Sequence, residues 1–388
     1  MKSNDVTLLY KLRIKRCRRH FSCCIIELDI QGGDMDLIEM RINDLMKSFI
    51  DEDIVGFDLI EELSTENDIR FSYKVITTKS QFVLKLAKNS FTTVNHIGRW
   101  SELSRLYRML GYKTPDFLTL NDGNRAFTWM DMSRRDFVVW CETFVELTNN
   151  KEVLLNDAKE YKASVGELIG KVATQTLSFE METPTPYCLF EKFCIDDPSD
   201  EYTEFMSKTY ELLKGHDSVD QMYLEYVYNT FLRLRTELKQ VYHKLPSAVF
   251  QSDLNESNLV LENKRIKGLI DFNISGREVI LNYLINEGVY QEEQVIHELW
   301  LDKTYNQEAD KKFKWVMEAF SKQYTWTKEE KMYFPLVYKV IRPFKFLFFV
   351  GLIRSFKNED YIEVNCRLKW MIQELERTDL HQMIEEAI

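Results

Sequence analysis

At 388 residues, with 45% apolar and 29% charged side chains, the chain has the length of one large domain or two lobes sharing a cleft, and its 13 Gly and 7 Pro argue against long disordered tracts. Acidic residues outnumber basic ones by 62 to 51; the net charge of -11 disfavours nucleic acid as a partner and would favour a cationic ligand. The longest apolar run near the C-terminus, Phe346 to Ile353, is far shorter than the roughly 20 residues that span a bilayer, so no membrane partner is expected.

Residues 1–34 precede the first regular pattern. Lys11, Arg13, Lys15, Arg16, Arg18 and Arg19 lead into Phe21 to Ile26, a stretch too short and too Cys-interrupted for a signal peptide. Gln31-Gly32-Gly33-Asp34 can be encoded by a string that reads as a bacterial ribosome-binding site, which would place the natural start at Met35 and make residues 1–34 a mis-assigned extension. A genuine basic arm is the other reading, and the N-terminal mass of the native protein separates the two. The 7 Cys contain no CxxC pair and are odd in number, so reduced thiols in a cytoplasmic protein are the simplest expectation. Cys17, His20, Cys23 and Cys24 match no common zinc spacing and are assigned no metal.

From Leu37, Ile38, Met40, Ile42, Leu45 and Met46 a first helix is expected. Residues 59–63, 71–76 and 82–86 are short, β-prone segments between polar turns and predict an antiparallel meander. Leu103, Leu106, Tyr107 and Leu110 then recur at helical spacing, and Gly111 with Pro115 supplies a stop. Two further strands are expected at 125–130 and 137–140. Beyond Asn150 the texture is helical, as at 164–173, 202–214 and 222–242, with one strand-like interruption between Val249 and Phe272. The fold class is therefore α+β. Residues 35–144 are expected to form a small β-rich lobe, and 145–388 a larger, mainly helical one.

The interruption carries the chemistry. It reads Val249-Phe250-Gln251-Ser252-Asp253-Leu254-Asn255-Glu256-Ser257-Asn258-Leu259-Val260-Leu261, then Lys267-Gly268-Leu269-Ile270-Asp271-Phe272. A loop that opens with Asp and closes with Asn five residues later, then runs through a hairpin to a second Asp, meets the needs of phosphoryl transfer. One carboxylate accepts or orients a hydroxyl proton. The other oxygens suit Mg2+, a hard cation that prefers oxygen ligands. Upstream, Lys85 lies in an alternating apolar strand, where its stem can line the core while the ammonium faces a cleft; Lys88 competes for that place.

At these residues the sequence resembles the kinase-like phosphotransferase family that includes aminoglycoside phosphotransferases, choline kinases and homoserine kinases, over about Leu59 to Tyr283. The resemblance implies a bilobal protein-kinase-like fold, with nucleotide binding in the lobe of residues 35–144 and the catalytic loop and substrate-binding helices in that of 145–388, and an ATP- and Mg2+-dependent phosphotransferase acting on a small-molecule hydroxyl, with GTP as the alternative nucleotide. It makes Asp253 the catalytic base, Asn258 and Asp271 the magnesium ligands, Lys85 the phosphate-contacting lysine and Glu102 its ion-pair partner from the following helix. It places Cys141, Glu142 and Phe144 in the hinge, where backbone groups would meet the purine edge.

The departures are specific. Ser64 to Ser72, the phosphate-covering loop, contains Asn67 but no Gly. Gln251 stands where many relatives have His, and Asn273 where protein kinases have Gly. No long activation loop follows Asp271, since Ser275 to Glu287 turns quickly into helix; this favours a small acceptor, cationic if Glu278, Glu287, Glu292, Glu293 or Glu298 meets an amine. The ring-rich stretch Trp315, Phe320, Tyr324, Trp326, Tyr333, Phe334 and Tyr338 reads as core, with a cation pocket as the other use. Two other classes remain: a catalytically inactive kinase-fold nucleotide-binding or regulatory protein, and an unrelated Mg2+-dependent hydrolase using Asp253 and Asp271. Oligomeric state is not legible.

Overall fold

The computed structural model describes residues 38–147, 158–181, 201–289 and 300–388, with Thr183, Thr185, Leu189 and Phe190. The expected start at Met35, the N-terminal Cys cluster and Glu292, Glu293 and Glu298 lie outside them. The chain divides into two compact units. The first holds the described residues before Asn150 together with Asp253–Leu261 and Lys267–Ser275, and the second holds the rest.

The first unit is built on five antiparallel strands, β1 (Ile54–Ser64), β2 (Ile69–Thr77), β3 (Gln81–Lys88), β4 (Ala126–Met130) and β5 (Asp136–Thr143), in the order β1-β2-β3-β5-β4. Alternation sorts the side chains onto two faces. Phe71, Tyr73 and Val75 of β2, Phe82, Leu84 and Leu86 of β3, and Phe137, Val139 and Cys141 of β5 form one core, closed by Ile38 and by Ile42, Leu45 and Met46 of helix α1 (Ile42–Met46). The opposite face is polar at its centre. Helix α2 (Val94–Met109), capped by the Thr93 side chain on the His96 N–H, lies on that side, with Trp100 edge-on to Trp140 at 6.1 Å.

In the second unit, helix α3 (Lys159–Thr176) precedes α4 (Glu201–Leu213) and α5 (Gln221–Val241). Strand β6 (Ser247–Phe250) leads to the hairpin β7 (Leu259–Glu262) and β8 (Arg265–Leu269), whose ends fall in the first unit, and then to β9 (Gly276–Val279). Helices α6 (Ile280–Gly288), α7 (Lys303–Ser321), α8 (Lys328–Ile341), α9 (Phe346–Lys357), α10 (Tyr361–Leu375) and α11 (Leu380–Glu385) follow. Helix α3 packs so closely on α7 that a Cβ at Gly166 would sit 2.0 Å from the Val316 carbonyl oxygen; only glycine fits. After Asp271 the chain turns into helix at Ile280, as expected, preceded by the short strand β9, which pairs antiparallel with β6 from Ser247–Val279 to Phe250–Gly276. Glu278, a candidate for meeting a substrate amine, is buried on β9, where Tyr242 Oη (2.7 Å), Thr185 Oγ1 (3.0 Å) and the Val279 N–H (2.7 Å) donate to it. Burial pushes its carboxyl up despite those donors. Phe320, Tyr324, Trp326, Phe334 and Tyr338 are buried, as core packing requires. No helix among the described residues is long and apolar enough to cross a membrane.

Candidate nucleotide and metal site

The polar face of the five-stranded sheet is assembled by register. Glu61 pairs with Ser72, Ser72 with Lys85, Lys85 with Trp140, and Trp140 with Ala126, so one transverse row crosses all five strands. Glu142 sits opposite Val83, one diagonal step from Lys85 on the same face, a separation a long side chain can span. Lys85 is recessed, its side chain 14% exposed, whereas Lys88 at the strand end is exposed. The row therefore selects Lys85.

The Lys85 ammonium lies 3.4 Å from Glu142 Oε2 and 3.5 Å from Asp271 Oδ1, a residue 186 positions later in the chain. Trp140 Nε1–H donates to Glu142 Oε1 at 2.7 Å and fixes the carboxylate's orientation. Burial alone would push the Lys85 pKa down, but Glu142, Asp271 and Glu61 outweigh it and hold the ammonium above the usual lysine range. Burial pushes the Glu142 carboxyl up, against Lys85 and the indole N–H.

The loop from Asp253 to Asn258 is tied to the segment leading into Asp271 through the backbone. Asn258 Nδ2 donates to the Asp253 carbonyl at 3.4 Å, and the Asn258 carbonyl accepts from the Ile270 N–H at 2.9 Å. Asp253 and Asn258 are both nearly buried. Asp271 adopts φ +59°, a left-handed conformation that Asp tolerates better than most residues. Phe272 beside it is buried edge-on against Tyr107 of α2 at 5.5 Å. The hairpin is held from outside by Lys113, whose N–H donates to the Lys267 carbonyl (2.7 Å) and whose carbonyl accepts from Leu269 (2.9 Å). Gly268 permits that approach, since a Cβ there would lie 2.2 Å from the Lys113 oxygen.

Two sequence expectations are corrected. Glu102 is not the partner of Lys85: it is half-exposed on α2 and pairs with Arg99 at 3.1 Å. The helix buries Ile97, Trp100, Ser101, Leu103, Ser104 and Tyr107, which turns position 102 outward. The hinge backbone, expected to face a purine, is already hydrogen-bonded to the 116–118 segment and to the start of β3. The Cys141 carbonyl accepts from Leu118 (2.8 Å), the Thr143 N–H donates to Asp116 (2.8 Å) and the Phe144 N–H to Gln81 (3.0 Å). Cys141 points its thiol into the core, and Phe144 lies under the Lys74 ammonium at 4.2 Å. From this segment it is the Glu142 side chain that reaches the polar face. The β1–β2 turn that replaces a Gly-rich loop is stapled by Asp68, which accepts from its own neighbours Thr65 and Arg70 and from Asn89.

Among the described residues, no group of three or more His, Cys, Asp or Glu side chains is placed to hold a metal ion. Asp271 and Asn258 nevertheless fit magnesium, which keeps several waters and takes one or two protein oxygens alongside nucleotide phosphates. The Asn273 amide oxygen, two residues on, is buried with no hydrogen-bond partner.

No family model and no curated protein matches the sequence. Solved structures do. A microcompartment-associated aminopropanol kinase superposes with a TM-score of 0.54 at 15% identity, covering 87% of this chain and 99% of that one. An amicoumacin kinase in complex with AMP-PNP and Ca2+ gives 0.51 at 14%, covering 91% and 97%. An aminoglycoside phosphotransferase from Alicyclobacillus acidocaldarius gives 0.53 at 10%, covering 95% and 98%. At such identities the likeness shows the fold: the chain has the bilobal α+β kinase-like architecture of these small-molecule phosphotransferases.

Proposed function

We propose that the protein is an ATP- and Mg2+-dependent phosphotransferase that phosphorylates a hydroxyl of a small molecule. One observation carries the reading: Lys85 and Asp271, far apart in sequence, meet at 3.5 Å beside the loop that holds Asp253 and Asn258. Lys85 supplies the recessed cation that binds nucleotide phosphate oxygens. Asp271 and Asn258 would hold the metal, which when bound would offset the negative charge of the nucleotide phosphates. Asp253, at the start of the loop, orients the acceptor hydroxyl and takes its proton. The kinase-like fold supports this arrangement, and the names of the aminopropanol and amicoumacin kinases make aminopropanol and amicoumacin the first acceptors to try.

The test is ADP formation with Mg2+ and ATP, then GTP, across a panel of amino alcohols, aminoglycosides and sugars. In Asp253→Asn, transfer to the acceptor found should fall by roughly two to four orders of magnitude while MgADP binding persists. Undiminished transfer in that variant would remove Asp253 from the mechanism.

A further inference from the structure

We propose that Glu142, through its side chain, is the positioning residue that holds Lys85 for the nucleotide phosphates, in the place that kinase resemblance gives to a helix carboxylate. The inference rests on the nucleotide-binding reading above and deepens it. Glu142 is on β5 and Lys85 on the adjacent β3, one diagonal step apart on the same face, with 3.4 Å between ammonium and carboxylate. The carboxylate is 5% exposed, and its other oxygen is fixed by the Trp140 indole N–H at 2.7 Å. Trp140 is itself wedged edge-on against Trp100. Glu102, the residue a strand-to-helix pair would use, is turned away and bound to Arg99.

The difference is functional as well as geometric. In protein kinases the lysine is anchored by a helix, so helix position controls assembly of the site. Here lysine and carboxylate belong to neighbouring strands of one sheet, and their pairing is set by β-register. The lysine's carboxylate partner is thus supplied by the sheet and not by α2.

The experiment is isothermal titration of MgADP into the full chain and its variants, with the melting temperature of each free protein as the folding control. Glu142→Gln should weaken MgADP binding about tenfold, the scale of losing a supporting partner to a binding group, and more than Glu102→Gln does. In a Lys85→Met background the same Glu142→Gln change should cost nothing further, because Glu142 acts through Lys85. Trp140→Phe keeps the charge and removes only the indole N–H, giving a smaller loss of the same kind; it stands in if Glu142→Gln fails to fold. Wild-type affinity in a folded Glu142→Gln protein, or an equal loss with and without Lys85, overturns the assignment. Were the wild type itself to bind neither MgADP nor MgATP, the nucleotide reading would fall, and the positioning role with it.

Discussion

Buried cations are handled differently at Arg367 and Arg377 of the second unit and at Lys85 of the first. In the second, Arg367 Nε donates to Glu363 Oε1 at 2.5 Å, the Trp300 indole donates to the same oxygen at 2.8 Å, and the guanidinium lies 4.5 Å from the Trp300 ring centroid. Arg377 likewise reaches Asp310 at 2.8 Å beside Tyr338 and Glu374. These are short, charge-assisted bonds walled by rings, the form that fixes one packing. In the first unit, Lys85 divides itself between two carboxylates at 3.4 and 3.5 Å. Contacts that long are weak individually and leave the ammonium able to take another anion, as binding groups in ligand-free sites commonly do. One arrangement holds a fold together; the other keeps a cation in reserve.

The contrast can be broken by experiment. Arg367→Met strands Glu363 in the core and should cost about 3–5 kcal/mol of stability in urea unfolding, while the surviving folded protein still binds MgADP. Lys85→Met should do the reverse, costing about 1–2 kcal/mol but removing most nucleotide affinity. It leaves Glu142 able to take up a proton, since burial already raises its carboxyl. Equal stability losses in the two variants would erase the distinction. A smaller effect concerns Lys162, which is 2% exposed on α3 and is pushed down to about 7 chiefly by burial and then by Lys345. Between that value and the ordinary 10.5 the unfolded chain binds the extra proton, so stability should rise with pH across this window. In Lys162→Met the rise, followed by denaturant unfolding from about pH 7 to pH 10, should be shallower.

Much of the first unit was legible because alternation is a strong signal: the five strands, the inward Leu84 and Leu86 and the outward Lys85 all follow from period two. Asp253, Asn258 and Asp271 could be put forward as candidates from the sequence because their spacing is local. The errors share a cause. The apolar positions Leu103, Leu106, Tyr107 and Leu110 suggested the buried stripe of α2, but Trp100, Ser101 and Ser104 also face inward. Ser104 is buried because its hydroxyl donates to the Pro115 carbonyl at 2.5 Å, a partner visible only after folding. That hidden polar burial sets the helix phase and turns Glu102 out. The side-chain task of Glu142 was equally hidden, since it depends on which residue of β3 lies opposite, and register is not written in either strand alone.

The two bonds from Lys113 to the β8 backbone, with Tyr107 seated on Phe272, couple the trailing end of α2 to the hairpin that carries Asp271. Mechanically they form a crank: tilting the helix end must drag the aspartate with it or tear both bonds. Lys85, anchored in the sheet, is the stationary post. Travel along that crank would alter the gap between the Lys85 ammonium and the Asp271 carboxylate, gearing that spacing to the helix while the cation stays put.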